Sequence, residues 1–270
     1  MPELPEVETT RLGLLPLIGQ KVGKVIIRNA AMRWPVPAQL SDILPGQQLQ
    51  SLQRRAKYIL AVFDSGTLIL HLGMSGSISL LQQDEPAQKH DHFEIHFMNG
   101  NVLRLRDPRR FGAVLWCEGE IDRHVLLQSL GPEPLDDAFD GKVLYAKTRT
   151  RPAPVKNVIM DSSVVVGVGN IYASESLFRA GINPNTPANR VSKVRYQRLA
   201  DEIKATLQDA LKAGGSSLRD FFGTDGNPGY FQQQYFVYGR AGKPCRKCGG
   251  TIRSIRLGQR STFYCPHCQR

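Results

Sequence analysis

The chain has 270 residues, 41% hydrophobic and 22% charged, which describes a globular protein with ample apolar content and excludes disorder and collagen-like fibres. Its 35 Lys and Arg against 24 Asp and Glu give +11, a balance that favours a polyanionic partner. It contains no run of about eighteen apolar residues, so no membrane helix is expected, and the acidic start MPELPEVETT lacks the basic-then-apolar pattern of a secretion signal.

Pro5 suits the first turn of a helix, and Glu6 and Glu8 suit its positive end, with Leu12, Leu15 and Ile18 expected to face a sheet. If the initiator Met is removed, Pro2 carries a secondary amine, a good nucleophile able to form an iminium with a sugar aldehyde. Most chains that begin this way do no chemistry, but Pro5 stiffens this terminus. Strands are expected over 22–27, 49–53, 58–63 and 67–72. A hairpin is expected over 92–97 and 102–106, turning at Asn99-Gly100, where a tight turn demands positive φ. Many short strands at this spacing predict a sandwich or barrel.

Prolines with scattered Asp and Gly between 131 and 156 place a linker there. Beyond it the period becomes helical. The segment 158–180 reads as helix, glycine turn (Gly167 to Asn170), helix. Leu199, Ile203, Leu207 and Leu211 form one stripe that Gly214-Gly215 stops. The tail from Phe236 has too few apolar residues for its own core. From 239 to 270 it carries eight Lys or Arg and no acid.

Cys245-x2-Cys248 precedes Cys265-x2-Cys268 by sixteen residues, the spacing of four thiolates around one tetrahedral Zn²⁺. Two disulfides are the alternative, and they require an oxidising compartment. Four sulfurs leave no open position, so the metal is expected to be structural. His267 is then a spare and Cys117 an unpaired apolar residue. Such a ribbon can be a nucleic-acid hairpin, a stabilising module or a protein-binding finger. Arg260, between the knuckles, either forks onto a phosphate or is solvated.

Five segments together carry a specific resemblance: Met1 to Glu8, His71-Leu-Gly-Met-Ser-Gly76, Asp107-Pro-Arg-Arg-Phe-Gly112, Val166 to Glu175, and the four-cysteine terminus. In order and along essentially the whole chain they resemble the bacterial formamidopyrimidine-DNA glycosylase family, also called 8-oxoguanine DNA glycosylases. Leu4 after Glu3 and the Asp107 to Gly112 segment favour it over the related endonuclease VIII enzymes. The resemblance implies an α+β protein. An N-terminal antiparallel β-sandwich with flanking helices would cover 1–132 and a linker 133–155. A helix-two-turn-helix domain with a lesion-recognition loop would cover 156–235, and a zinc-ribbon hairpin 236–270.

It also implies a bifunctional glycosylase and AP lyase of base-excision repair, acting on oxidised purines in duplex DNA. Pro2 would attack C1′ of the flipped nucleotide, Glu3 would protonate the sugar, and Glu6 would support the terminus. Lys57 matches the residue assigned to β-elimination and Arg260 the one assigned to δ-elimination, although an arginine is a poor proton donor and suits phosphate positioning better. Met74, Arg109 and Phe111 would fill the void left by flipping; without the resemblance Met74 and Phe111 read as core residues. His71, His90, Arg151, Lys156 and Asn170 match DNA contacts, with the glycine turn offering N–H groups to phosphate. A P-loop reading fails because no Gly-Lys-Ser/Thr follows. Arg219 and Tyr230 lie in the lesion-recognition loop. One structural Zn²⁺, damaged double-stranded DNA as partner, no obligate protein partner, a monomer, and a bacterial cytoplasmic location complete the expectation. A zinc-ribbon DNA-binding protein without catalysis is the alternative, and it leaves Glu3, Lys57 and the rigid Pro-Glu start unexplained.

Overall fold

A computed structural model describes residues 2–83, 85–216, 224 and 229–270. Two compact units emerge, Met1–Gln128 with Leu211–Gln232, and Ser129–Ala210 with Gln233–Arg270. The first opens with helix α1 (Leu4–Gly13), whose N-cap Glu3 and N3 residue Glu6 form a capping box. Strands β1 (Val22–Ile27), β2 (Ser51–Arg55), β3 (Tyr58–Val62), β4 (Thr67–His71), β5 (Ser77–Leu81), β6 (Asp91–Phe97), β7 (Val102–Arg106) and β8 (Ala113–Cys117) follow, with a short helix α2 (Leu40–Ile43) after β1. They build two four-stranded sheets, ordered β1-β6-β7-β5 and β2-β3-β4-β8, with neighbouring strands antiparallel. Phe93, Ile95, Leu103 and Leu105 of one sheet share a core with Leu52, Ile59, Leu68 and Leu70 of the other, so this is a β-sandwich. Each such buried Phe or Leu contributes roughly 1.5–3 kcal/mol.

The expected hairpin is β6–β7, but its turn differs from the expectation. Gly100 alone has positive φ (+91°), and its N–H bonds Phe97 O at 3.0 Å, so a turn over 97–100 ends in a left-handed glycine rather than a two-residue loop. Leu12, Leu15 and Ile18 also depart from expectation: they are exposed, while Leu14 and Leu17 are wholly buried. The helix ends at Gly13 and continues as a 3₁₀ turn over Leu15–Leu17, whose three-residue period puts 14 and 17 on the same inward face.

The second unit contains α3 (Gly141–Thr148), α4 (Val155–Ile159), α5 (Asn170–Ala180), α6 (Lys193–Lys212) and the hairpin strands β9 (Arg253–Leu257) and β10 (Arg260–Tyr264). The stretch 133–155, expected to be a linker, instead carries α3. Its N-cap Asp140 accepts the Val143 N–H, Leu144 and Phe139 are wholly buried, and Gly141 lies so close to the Gln197 backbone that no side chain fits. Leu211–Gln232 falls within the N-terminal compact unit. Leu199, Ile203 and Leu207 face inward on α6 as their spacing predicts. The terminal hairpin has no core of its own: Val237, Cys245, Ile252 and Cys265 pack with Phe178 of α5.

Candidate active site and nucleic-acid interface

At the head of α1 the first residues are locked inside the protein. Pro2 is buried, and Glu3 and Glu6 are each 1% exposed. Glu6 Oε2 accepts the Glu3 N–H at 2.8 Å, and Glu6 Oε1 accepts the Ser216 N–H at 2.8 Å. A Cβ on Gly215 would lie 3.1 Å from Glu6 Oε1, and Gly215 has φ +80°, so glycine there meets both demands. Sequence reasoning gave Glu6 a supporting role; it did not reveal that the same carboxylate accepts the Ser216 N–H, at the start of the 214–230 stretch. Within that stretch Arg219 lies outside the described residues. Tyr230 is exposed, and its N–H bonds Ala213 O at 3.0 Å.

Lys57 sits at the tip of the β2–β3 hairpin, where Arg55 pairs with Tyr58 and the turn residue Ala56 holds φ +54°. A non-glycine residue in that region is strained, and such strain collects at functional loops. On the adjacent strand, the His71 ring lies 4.9 Å from the Tyr58 ring. His71 Nδ1 accepts the Gly73 N–H at 3.1 Å, which places the ring proton on Nε2. Burial pushes this imidazole down to about 4, with Lys57 and Arg33 adding to the effect. The fold therefore favours the neutral ring. Stability from this group is complete above its ordinary value of 6.5 and is lost as pH falls towards 4. NMR of the His71 ring nitrogens is expected to show the neutral Nε2–H tautomer from pH 8 down to about 5; a midpoint above 6 would contradict the assignment.

His71, Met74, Arg109 and Phe111 line one cavity of about 760 Å³, together with Met32 and Arg33. Met74 and Phe111 are 40% and 44% exposed, unusual for such side chains, and the Arg109 guanidinium lies 4.8 Å over the Phe111 ring. Residues 35 positions apart in sequence thus meet on one surface. His90 has φ +78° and is half-buried beside His92, 6.1 Å between ring centres. Asp107, whose carboxylate accepts the Ser75 hydroxyl and the Gly112 N–H, has no place in the sequence-derived site. Its only sequence signal was its position opening the Asp107 to Gly112 segment.

In the second unit, Asn170 begins α5 directly after the glycine turn, and its Nδ2 donates to Ser261 O at 3.1 Å. Lys156 differs from its expected place at DNA. It is 1% exposed, and its Nζ donates to Asn170 Oδ1 (2.6 Å), Thr262 Oγ1 (2.7 Å) and Ser261 O (3.3 Å). A buried ammonium needs such acceptors, and these three tie α4 to the start of α5 and to β10. Arg151 is engaged with Asp161, which the pairing holds below the usual carboxylate range against its own desolvation. Arg260 is exposed, following a turn whose residues Gly258 and Gln259 both have positive φ (+52° and +61°). Its Nη1 lies 3.9 Å from Met160 Sδ. The wholly enclosed Glu175, absent from the sequence-derived site, accepts the N–H groups of Phe236, Val237 and Tyr238 and so fastens the start of the finger to α5.

The four cysteine sulfurs lie within 4.8 Å of one another, and all are free thiols. Cys245 and Cys268 are 3.9 Å apart, and Cys248 and Cys265 3.5 Å. Metal–sulfur bonds of about 2.3 Å in a tetrahedron give edges of about 3.8 Å, so the cage fits a metal ion and not a disulfide pair. Burial and the neighbouring thiols push Cys268 up to about 12. Four thiolates coexist at this spacing only around a cation.

Three family models match in succession: the Formamidopyrimidine-DNA glycosylase N-terminal domain over residues 1–114, the Formamidopyrimidine-DNA glycosylase H2TH domain over 130–222, and the Zinc finger found in FPG and IleRS over 242–270. The Formamidopyrimidine-DNA glycosylase of Methylobacillus flagellatus is 64% identical over 270 residues, covering 100% of this chain and 97% of the relative. Among solved structures, Lactococcus lactis Fpg in complex with a Fapy-dG-containing DNA matches at TM-score 0.91 and 35% identity, covering 99% of this chain and 100% of that one. The same enzyme with DNA containing an abasic site matches at TM-score 0.91 and 35% identity, covering 99% of each. The chain belongs to the formamidopyrimidine-DNA glycosylase family.

Proposed function

We propose that this DNA glycosylase of base-excision repair removes oxidised purines, 8-oxoguanine and formamidopyrimidines, and then cuts the strand itself through a Schiff base at Pro2. The observation that carries the proposal is the buried, hydrogen-bonded Pro2-Glu3-Glu6 head of α1. A chain terminus is ordinarily frayed; one held this firmly has its nitrogen at a defined place. The solved complexes of Lactococcus lactis Fpg with Fapy-dG DNA and with abasic DNA supply the two substrate states such a sequence requires.

With Met1 removed, the Pro2 nitrogen attacks C1′ of the flipped nucleotide. The C1′–N9 bond breaks, and its electron pair leaves with the base, which takes up a proton. Glu3 delivers a proton to the sugar ring oxygen, the ring opens, and C1′ and Pro2 form a cationic iminium. Loss of a C2′ proton expels the 3′ phosphate (β-elimination), and a second loss expels the 5′ phosphate (δ-elimination), leaving a one-nucleotide gap. Hydrolysis of the iminium restores Pro2. Lys57 and Arg260 act as cations against the phosphates on either side of the lesion, and His71 offers its neutral Nε2–H to a phosphate oxygen. Met74, Arg109 and Phe111 occupy the emptied stack, Phe as wedge and Arg as hydrogen-bond donor to the orphaned base. The backbone N–H groups before α5 and Asn170 receive phosphate, with Lys156 positioning Asn170 and not touching DNA itself. His90 and Arg151 contribute to the DNA surface, Arg151 after exchanging Asp161 for phosphate, and Tyr230 and Arg219 contact the extruded base. Cys245, Cys248, Cys265 and Cys268 would hold one Zn²⁺, which would supply folding free energy and no chemistry, since four thiolates would fill its coordination. Damaged duplex DNA is the partner, and the protein acts as a monomer in the bacterial cytoplasm.

Borohydride trapping tests the reading. Incubation with 8-oxoguanine duplex and reductant is expected to give a covalent protein–DNA adduct whose peptide map places the deoxyribose on Pro2. No adduct from protein lacking Met1 would remove the catalytic reading and leave DNA binding alone.

A further inference from the structure

Asp107 is wholly buried, a rare state for a carboxylate unless every lone pair is used. All four of its polar atoms are used. Its N–H donates to His90 O at 3.0 Å, and its carbonyl accepts the Arg110 N–H at 3.2 Å and faces His92 Nε2 at 3.0 Å. Oδ1 accepts the Ser75 hydroxyl at 2.8 Å and the Arg109 N–H at 3.2 Å, and Oδ2 accepts the Gly112 N–H at 2.7 Å. These partners come from three separate segments: the 72–76 turn that carries Met74, the 107–112 turn that carries Arg109 and Phe111, and the His90–His92 stretch at the start of β6. The first two turns also pack backbone to backbone. A Cβ on Gly73 (φ +62°) would strike the Phe111 carbonyl group, and one on Gly112 would lie 2.7 Å from His71 O and 3.0 Å from Asp107 Oδ2.

We propose that Asp107 is the positioning residue of the void-filling side chains: one buried carboxylate joins the Met74 turn to the Arg109–Phe111 turn, so that they meet DNA as a preformed wedge. The inference rests on the void-filling role given to those side chains above. Its chemistry is specific to a carboxylate. An anionic group with two oxygens accepts three donors on opposite sides, whereas an asparagine has one oxygen and presents an NH₂ to an N–H or hydroxyl that needs an acceptor. A wedge assembled in advance loses little conformational freedom when it enters the stack, so more of its contact energy offsets unstacking. Loosening it therefore weakens recognition of a flipped nucleotide more than it weakens attraction to the backbone.

The test uses full-length, metal-loaded protein and a duplex with 8-oxoguanine beside 2-aminopurine, whose fluorescence rises when the stack opens. Asp107→Asn is expected to suppress that rise and to lower the preference for lesion over undamaged duplex about ten-fold. Ser75→Ala, which removes one donor and keeps the carboxylate, is expected to move both readouts in the same direction by about three-fold, and it decides the matter if the Asn variant does not fold. A Met74→Ala/Phe111→Ala double variant is the reference. If that variant keeps both the fluorescence rise and the preference, the void-filling reading itself fails. If it loses both while folded Asp107→Asn or Ser75→Ala protein keeps them, Asp107 does not position the wedge.

Discussion

Glu3→Gln is expected to eliminate release of 8-oxoguanine while the variant still binds the damaged duplex. Loss of a positioned proton donor costs about 10²–10⁴-fold in rate. Glutamine keeps what the fold needs from this side chain, because its carbonyl oxygen can still accept the Glu6 N–H in the capping box. Any structural cost is therefore that of a weakened cap, about 0.5–2 kcal/mol at most. Glu6→Gln supplies the contrast. Glu6 uses both oxygens, one for Glu3 N–H and one for Ser216 N–H, so an amide there leaves one N–H facing NH₂. That variant should lose stability as well as turnover. Single-turnover excision, duplex binding by fluorescence anisotropy and melting temperature separate the two. Equal loss of excision and of binding in Glu3→Gln would point to a folding defect and remove the acid role.

What the sequence made legible was chemistry carried by local order. Two Cys-x2-Cys pairs specify a tetrahedral cage wherever the chain folds, and the cage is present, within 4.8 Å. Glu6 follows Glu3 at the spacing of a capping box, so both fall at one helix start. The glycine turn before Asn170 needed only Gly167, with φ +79°, and Gly169 as N-cap. What remained hidden depends on partners far along the chain. Lys156, in a basic stretch, reads as a phosphate contact until Ser261 and Thr262, more than a hundred residues later, enclose its ammonium. Asp107 reads as the first residue of a turn, and only tertiary structure brings Ser75 to it. The inward face of α1 was misplaced because a helical period was carried past Gly13 into a 3₁₀ turn. Helix α3 is illegible in the sequence because prolines on both sides mask an eight-residue helix that begins at an Asp cap.

Removing the metal is expected to unfold the terminal hairpin and weaken duplex binding by two or more orders of magnitude. Of the five buried residues in the core beneath it, Cys245 and Cys265 belong to the four-thiol cage itself, leaving Phe178, Val237 and Ile252 as the buried apolar remainder. That is too little to hold the hairpin when a metal in such a module supplies about 10–16 kcal/mol of folding free energy. The loss does not stop at Arg260. Once β10 detaches, Lys156 Nζ loses its contacts to Thr262 Oγ1 and Ser261 O, while that to Asn170 Oδ1 remains. An ammonium that loses two buried acceptors draws in water or swings out, and either movement releases Asn170 from its place at the start of α5. Two charge-assisted contacts at about 1.5–3 kcal/mol each give the stated loss, and the salt dependence of binding should flatten by about one phosphate. Chelation with metal content measured in parallel, anisotropy at several salt concentrations, and restoration by added Zn²⁺ check the sequence of events. Lys156→Met in metal-loaded protein isolates the second half: the cage and the Arg260 side chain are kept, while the ammonium's contacts to Asn170, Ser261 and Thr262 are removed. Duplex affinity indifferent to verified metal loss would mean that neither Arg260 nor the Lys156 link contributes to holding DNA.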